Sequence, residues 1–553
     1  MKKNISKYSK FYLSFGITLL VYLLVELLMG FHYETKDDFI SDSMIRGMYW
    51  GEPTLNFYFW IRGLPYIYYW LYSTFDLGVN YYGFSLIFFS FIAHSILCYL
   101  ILLNNSFKNR IVLISFFVFA CIYNIYLVSF TKVAITLGFS SIILIAYTLN
   151  YNKKTLSTIV LIILGYLLFF YAYLLRPFAG IYSFALALCF LFLFWLINKP
   201  KIRQLVYQSV IIAIPFIISF IVVFCIENYQ DKEYTQKMKQ FSDYTGPIVD
   251  YHYSTKFSND YEENILYSFQ NWFYFNKETT NLNVLNKIVD LSYFNRINIS
   301  NIIKLVKYVI TKPVFVWFIF ILLFLPIFFY FHRDKRLIIN LIFVVLLLLF
   351  PFGTTIVTKL AIHLIIPSLT IIIFSFFLFF DQYLEFILQN KLIKKTILFL
   401  FVLMLPFQVF SYYKNAKVAK ELTVSSEIRL ETLKKESTNK IVFLTMAAID
   451  FEEYNPLKLY NWNKSALYIP MNGWYAYNEK NYNTIFKLCG SNDLDKVFIW
   501  MANNPNVYIL SDDYNNKLIN KILKYYNIEI EFKATTLLDK ENQIYLYSLS
   551  IAY

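Results

Sequence analysis

Charged residues, glycine, proline and cysteine are all scarce in this chain of 553 residues. Asp, Glu, Lys and Arg together make up only 16%, whereas soluble domains carry about 25%, so an ordinary soluble enzyme is excluded. The 14 glycines and 14 prolines are too few for a collagen-like or low-complexity chain. The five cysteines form no CxxC pair and show no spacing typical of a disulfide framework or a zinc site.

The signature motifs of several enzyme and transporter classes are also missing. No GxxxxGK[ST] loop is present, which argues against a nucleotide-driven transporter, and neither HExxH nor GxSxG occurs. No stripe of Lys and Arg interleaved with aromatic residues lies outside the apolar segments. The net charge of +14 is therefore better explained by membrane topology than by nucleic-acid binding.

Apolar residues dominate instead, at 58% with a mean hydropathy of +0.49, which is typical of an α-helical polytopic membrane protein. A spanning helix needs about 20 mostly apolar residues, and we predict about eleven. The predicted spans are 11–31, 81–103, 111–129, 132–150, 156–175, 179–197, 205–226, 312–331, 337–357, 360–380 and 396–413. We interpret the first as an uncleaved helix rather than a signal peptide, because no small-residue cleavage site follows it.

Lysine and arginine are unevenly distributed between the two sides that these spans define. With the N-terminus in the cytoplasm, seventeen of them fall in inner segments and three in short outer turns. Because positive residues concentrate in cytoplasmic loops, we expect a cytoplasmic N-terminus. An odd number of spans then gives an extracytoplasmic C-terminus. The predicted location is the cytoplasmic (inner) membrane of a bacterium.

The sequence predicts two domains. Residues 1–413 form a transmembrane domain with two long outer loops, 32–80 and 227–311. Residues 414–553 are nearly neutral and polar, and we expect them to form a small extracytoplasmic α/β domain. Its predicted elements are strands at 440–444, 497–500 and 506–510, a short helix at 518–526, and a hairpin formed by 528–536 and 543–551.

The segment just after the first span is the most informative for chemistry, because it holds Glu34, Asp37, Asp38 and Asp42. In a helix, Asp38 and Asp42 would share one face, with Arg46 one turn further along. Carboxylates at the edge of hydrocarbon often have raised pKa values. One of them could act as a general base for an acceptor hydroxyl or ligate a divalent metal. The alternative is a solvated loop whose aspartates cap a helix.

Further polar residues are predicted near the same membrane boundary. Arg176, followed by proline, could clamp a phosphate or extend to lipid headgroups. Lys359 and His363 share one helix face, and His363 could carry a proton or bind phosphate, or simply be packed. Asp260 lies among aromatic and acidic residues in the loop 227–311. Sugar sites have this composition, but an amphipathic surface helix explains it better on physical grounds alone.

The order of these parts resembles the GT-C glycosyltransferases, which are polytopic and carry an acidic motif just after the first helix. The pair Asp37–Asp38 matches that motif in place and type, and seven predicted spans precede the loop 227–311. Several stretches are also similar to uncharacterised bacterial GT-C-like proteins met in surface-polysaccharide contexts. They are DDFISDSMIRGMYWGEPTLNFYFWIRGLPYIYYWLY, VSFTKVAITLGFSS, LLRPFAGIYSF, FSNDYEENILYSFQNWFYF and KVFIWMANNPNVYIL. Where that pattern tends to have an arginine late in the helical region, this chain has His363.

The resemblance implies sugar transfer on the outer face of the membrane. A polyprenyl-phosphate sugar would be the donor, and Asp37 or Asp38 would deprotonate a hydroxyl of a glycan or lipid acceptor. The phosphate would meet Arg176, so we expect the two aspartates to face the same cavity as Arg176. The residues implied to bind substrate are Asp42, Arg46, Arg62, Arg176, Asp260, Lys359 and His363. Membrane lipids are the other expected partner and nucleic acid is not. No cofactor is implied with certainty, and a divalent metal is left open.

Other functional classes fit part of the pattern. A polysaccharide polymerase or ligase acts on the same face but typically uses arginine-rich outer loops, and 227–311 contains only Arg296. A lipid-linked sugar flippase or transporter typically has charges at mid-membrane and broken helices, whereas these spans are clean. A third alternative is a GT-C scaffold that only binds carbohydrate.

Overall fold

The computed structural model describes most of the chain. The described residues are 7–57, 63–75, 77–104, 117, 121–151, 156–198, 200–229, 232–245, 248, 258–274, 277, 280–289, 303, 306–307, 310, 362–379, 391–445 and 454–552.

The first part of the chain is helical, apart from two short strands. Its elements are α1 (Lys7–Leu28), β1 (His32–Tyr33), α2 (Lys36–Ile45), α3 (Leu64–Thr74), α4 (Tyr81–Asn104), β2 (Leu127–Val128), α5 (Phe130–Tyr151), α6 (Leu156–Leu175), α7 (Pro177–Asn198) and α8 (Ile202–Tyr229). Six of these helices, all except α2 and α3, are long and apolar enough to cross a membrane. They confirm six of the predicted spans, and the chain is a multi-pass membrane protein.

The other predicted spans are supported less fully. Spans 312–331 and 337–357 lie outside the described residues, as do residues 111–116 and 118–120 of span 111–129. The end of 111–129 is not helical as predicted, because residues 127–128 are extended and pair with β1. One helix of 18 residues, Ile362–Phe379, occupies most of 360–380, and its apolar stretch among the described side chains is His363–Ser375. Span 396–413 lies within one helix that continues to residue 436.

Between residues 232 and 436, the described part of the chain forms five more helices: α9 (Lys232–Thr245), α10 (Asp260–Gln270), α11 (Leu282–Ile288), α12 (Ile362–Phe379) and α13 (Lys391–Glu436). Helix α13 runs without a break through the predicted domain boundary at residue 413. Its last turns are buried against the C-terminal part of the chain, where Arg429 forms a buried ion pair with Asp539.

Helix α5 is the centre of the membrane bundle and packs against α4, α6, α7 and α12. Glycines allow the closest approaches. A Cβ added at Gly138 of α5 would lie 2.2 Å from the Ser183 hydroxyl of α7, and one at Gly165 of α6 would lie 2.5 Å from Ile145. Small residues of this kind let apolar helices approach closely in a membrane, where van der Waals packing drives their association.

Residues 437–552, here called the C-terminal unit, contain a five-stranded sheet. Its elements are β3 (Ile441–Leu444), β4 (Leu467–Pro470), α14 (Glu479–Cys489), α15 (Leu494–Asn503), β5 (Val507–Ser511), α16 (Asp513–Leu523), β6 (Ile530–Asp539) and β7 (Ile544–Ile551). The strand order is β4-β3-β5-β7-β6. Strand β3 pairs in parallel with β4 and β5, and the β6–β7 hairpin is antiparallel.

The strand predicted at 497–500 is wrong, because these residues lie within α15. Leu494, Val497, Phe498 and Met501 are all buried, and the spacing of three and four residues places them on one helix face. The four consecutive apolar residues at 497–500 fit a buried strand and a helix equally well, and only the flanking positions distinguish the two.

Candidate active site

The acidic segment is held at one end of the membrane bundle by the pairing of β1 with β2. His32 pairs with Leu127 and Tyr33 with Val128, which brings the chain leaving α1 next to the first residue of α5. Residues 34–38 of the acidic segment therefore face residues 129–132. We call this end of the bundle the α2 end.

Asp38 is completely buried and fully hydrogen-bonded. Its Oδ1 accepts hydrogen bonds from the Tyr82 hydroxyl (2.8 Å) and the Phe130 backbone N–H (3.1 Å), and its Oδ2 accepts one from the Thr35 hydroxyl (2.9 Å). Burial raises the pKa of Asp38 to about 8, although the three donors act against that rise. The carboxyl group is therefore mostly protonated at pH 7, and its contacts join α2 to α4 and α5.

Asp37, its neighbour, is only half-buried. Its Oδ1 accepts a hydrogen bond of 2.9 Å from the indole N–H of Trp474, which comes from the C-terminal unit. Within the described part of the chain, this indole is the only hydrogen-bond partner of Asp37 that we find. The second carboxylate oxygen is thus available to another group, so the structure separates two aspartates that the sequence leaves equivalent.

A buried ion pair with a histidine beside it lies next to the aspartates. Lys132 Nζ is 2.6 Å from Glu34 Oε1, and His363 Nδ1 is 3.1 Å from Glu34 Oε2. The Ser129 hydroxyl donates to the same carboxylate (3.2 Å). Burial alone would raise the pKa of Glu34, but Lys132 and His363 outweigh it and lower that pKa to about 2. Glu34 is therefore a permanent anion, and the 37% exposed side chain of His363 faces outward from it.

Arg176 lies at the junction of α6 and α7, beside the same first turn of α5. Its guanidinium donates a hydrogen bond to the Thr131 hydroxyl and lies 5.1 Å from the centre of the Phe130 ring. Burial lowers the pKa of Arg176, while the nearby Asp37 and Asp38 carboxylates favour its charged form. The cation and the aspartate pair therefore belong to one neighbourhood.

Asp42 and Arg46 form the helical pair that their spacing predicts, with 3.2 Å between Nη1 and Oδ2. Both side chains are almost completely buried. Arg46 also donates to the Tyr460 carbonyl (2.8 Å) and to the Asn461 side chain, and the Tyr72 hydroxyl donates to Asp42 (2.6 Å). These contacts fix α2 to α3 and to the C-terminal unit. Their predicted role in substrate binding stays a prediction.

The remaining predicted substrate-binding residues are Arg62, Lys359 and Asp260. Arg62 and Lys359 lie outside the described residues. Asp260 is exposed in the first turn of α10, a helix that packs against α11 and α16. Among the described residues, no three His, Cys, Asp or Glu side chains are grouped so that they could hold a metal ion.

The sequence analysis does not identify two residues of this site. Lys132 is one of the three basic residues assigned to short outer turns. A lysine at the start of an apolar span is costly unless it is paired, so its position indicates a buried partner. Trp474 is 437 positions from Asp37, and no local pattern connects the two.

Comparison with known proteins supplies the fold. No protein-family model and no curated protein matches the sequence. Among solved structures, the crystal structure of ArnT from Cupriavidus metallidurans in the apo state is similar, with a TM-score of 0.51 and 9% identity over 97% of each chain. The chain therefore shares the fold of this ArnT structure, as the GT-C resemblance predicts. A second match is to the structure of the same ArnT bound to undecaprenyl phosphate. It covers 97% of each chain, with 10% identity and a TM-score of 0.48.

Proposed function

We propose that the chain is an integral membrane glycosyltransferase. It would transfer a sugar from a polyprenyl-phosphate donor to a glycan or lipid acceptor. The observation that carries the proposal is the proximity of a half-buried carboxylate, Asp37, to the guanidinium of Arg176 in a chain of GT-C-type fold. One group suits removal of a proton and the other suits a phosphate leaving group.

The roles of the two aspartates differ in this proposal. Asp37 would be the catalytic base, because it has a free oxygen and incomplete burial. Asp38 would hold α2 in place, since three donors occupy it and its pKa of about 8 leaves it mostly protonated at pH 7. A protonated carboxyl enclosed by donors cannot easily accept another proton.

The reaction requires no nucleotide. Asp37 would take the proton of an acceptor hydroxyl, whose oxygen then forms a bond to the anomeric carbon of the donor sugar. The bond from that carbon to the phosphate oxygen breaks, and the polyprenyl phosphate leaves with the electron pair, giving inversion at the sugar. Arg176 would stabilise the negative charge that develops on the phosphate. General-base catalysis of this kind contributes roughly 10²- to 10⁴-fold.

The α2 end would face away from the cytoplasm. The distribution of Lys and Arg supports this orientation, which also places the C-terminal unit outside the cytoplasmic membrane of a bacterium. His363, whose Nδ1 lies 3.1 Å from Glu34 Oε2 and whose side chain is partly exposed, would be a further ligand for the donor phosphate.

The test compares Asp37→Asn with Asp38→Asn in purified protein supplied with polyprenyl-phosphate hexoses and a cell-envelope extract. Release of polyprenyl phosphate is followed. We expect Asp37→Asn to lose activity by about 10²-fold or more and Asp38→Asn to retain most of it. Asp513→Asn, an exposed aspartate of the C-terminal unit, is the matched control. Full activity of Asp37→Asn would contradict the assigned base, and an inactive wild type would favour the polymerase or transporter alternatives.

A further inference from the structure

Trp474 reaches Asp37 from a short turn that follows β4. The turn is a single 3₁₀ segment, Trp474–Ala476, and Trp474 is half-buried at its start. Its indole N–H lies 2.9 Å from Asp37 Oδ1. The C-terminal unit therefore extends to the carboxylate that the proposed reaction uses, although the rest of that site comes from the membrane bundle and the acidic segment.

Backbone contacts with the loop after α10 hold one side of this turn. Tyr274 N–H donates to the Met471 carbonyl (3.1 Å), and Gly473 N–H donates to the Trp272 carbonyl (2.8 Å). The two segments thus pair on either side of Asn472, which forms an antiparallel bridge with Phe273. This arrangement fixes the residue that precedes Trp474.

Asn481 of α14 holds the other side. Its amide group donates to the carbonyls of Pro470 (3.2 Å) and Ala476 (3.1 Å), so it joins the last residue of β4 to the last residue of the turn. Its side-chain oxygen accepts a hydrogen bond of 2.8 Å from the indole N–H of Trp50, just beyond α2. Asn481 is fully buried. The position of Trp474 is therefore determined from both the acidic segment and the C-terminal unit.

Gly473 makes this arrangement possible. Its φ of +91° and ψ of 163° belong to a region that is essentially restricted to glycine. A Cβ at this position would lie 2.6 Å from the ring of Tyr475, and that ring is buried against Tyr49, with 5.6 Å between centroids. A side chain at 473 would therefore displace the turn.

We infer that Trp474 is a positioning residue for Asp37. The indole N–H fixes one carboxylate oxygen and leaves the other for the acceptor hydroxyl, so the active centre is complete only when the C-terminal unit is docked. This inference rests on the function proposed above. A hydrogen bond from N–H to an ionised carboxylate is short and strong, and a displacement of about 1 Å in a catalytic group can reduce the rate about 10²-fold.

The groups that face Asp37 are the indole of Trp474, the Arg176 guanidinium, the neighbouring Asp38 and the Tyr475 phenol. Loss of the indole N–H removes the contact that fixes the orientation of the Asp37 carboxylate. The variant should therefore lose kcat while its KM for the donor changes little, because donor binding does not use this contact. A residue that served only to stabilise the fold would lower the unfolding midpoint without lowering kcat per folded molecule.

The experiment uses the full-length protein and undecaprenyl-phosphate glucose as the donor, with wild type and Asp37→Asn in the same assay. Trp474→Phe keeps an aromatic ring without the N–H. We expect its kcat to fall about 10- to 100-fold and its KM for the donor to stay within about threefold. Trp70→Phe, at a 55% exposed tryptophan of α3, controls for the substitution itself.

Gly473→Ala tests the same inference without altering the indole. It should lose kcat as Trp474→Phe does, whereas Gly490→Ala should not, because Gly490 also has a positive φ but an added Cβ there meets nothing within 4 Å. The positioning role alone would be overturned if wild type is active, Asp37→Asn is inactive and Trp474→Phe has an unchanged kcat. An inactive wild type would overturn the proposed function, and this inference with it.

Discussion

Replacement of Lys132 by methionine tests the electrostatics on which the site rests. Lys132 and Glu34 have side chains that are 2% and 8% exposed, and their charged atoms are 2.6 Å apart. Methionine fills a similar length without the charge. The variant therefore leaves the Glu34 carboxylate buried, and its remaining partners among the described residues are His363 and the Ser129 hydroxyl. We expect a marked loss of stability.

The magnitude follows from the pKa of Glu34, which is about 2 in the folded protein against an ordinary 4.5. This difference of about 2.5 pH units corresponds to about 3 kcal/mol, shared between Lys132 and His363. Removal of one partner from a buried ion pair costs a similar amount, about 3–5 kcal/mol. Because the pKa of the folded state is lowered, this stabilisation is fully present above about pH 4.5 and is lost as the pH falls toward 2.

Thermal unfolding of Lys132→Met in detergent at pH 7 and pH 4 measures the effect. The loss should be large at pH 7 and smaller at pH 4, and the double variant Glu34→Gln/Lys132→Met should regain much of the stability. Lys496→Met, at a 62% exposed lysine that pairs with Asp493, should change the midpoint little. Equal midpoints for Lys132→Met and this control would refute the reasoning, as would a double variant less stable than the single one.

Two further predictions concern the proposed donor site and the buried aspartate. Arg176→Ala should raise KM for the polyprenyl-phosphate donor about tenfold or more. Arg176→Lys should have an intermediate KM, because a guanidinium forms two parallel hydrogen bonds to phosphate and an ammonium does not. Steady-state kinetics measure this effect, and an unchanged KM would contradict it. The pKa of Asp38 is raised to about 8 in the folded state. Between about pH 4 and pH 8 the folded protein therefore binds more protons than the unfolded chain, and its free energy of unfolding falls as the pH rises through that range. Thermal unfolding should show a smaller loss between pH 6 and pH 9 for Asp38→Asn than for wild type, and equal losses would count against a neutral buried Asp38.

The fold was largely predictable because the physical signals are local. A run of about 20 apolar residues is sufficient to indicate a spanning helix, and six such runs are the helices described above. The spacing of Asp42 and Arg46 also predicts their contact, because residues four apart meet on a helix. The acidic segment could be recognised for the same reason, since its carboxylates follow directly after an apolar helix.

The arrangement of the site could not be read in the same way, because its contacts join distant parts of the chain. Lys132 and Glu34 meet only because β1 pairs with β2, and each of these strands is just two residues long. The sequence made Asp37 and Asp38 look equivalent. The positions of Tyr82, Phe130 and Trp474 show that donors enclose Asp38, whereas Asp37 has a partner at one oxygen alone among the described residues.

The most direct test of the account reconstitutes the wild-type protein in liposomes with a labelled polyprenyl-phosphate hexose and a cell-envelope acceptor extract. The two quantities measured are the polyprenyl phosphate released and the hexose joined to acceptor. The account predicts one released lipid phosphate for each hexose transferred, with both products absent for Asp37→Asn. Movement of the labelled donor across the membrane with no lipid phosphate released would contradict a glycosyltransferase and indicate a flippase.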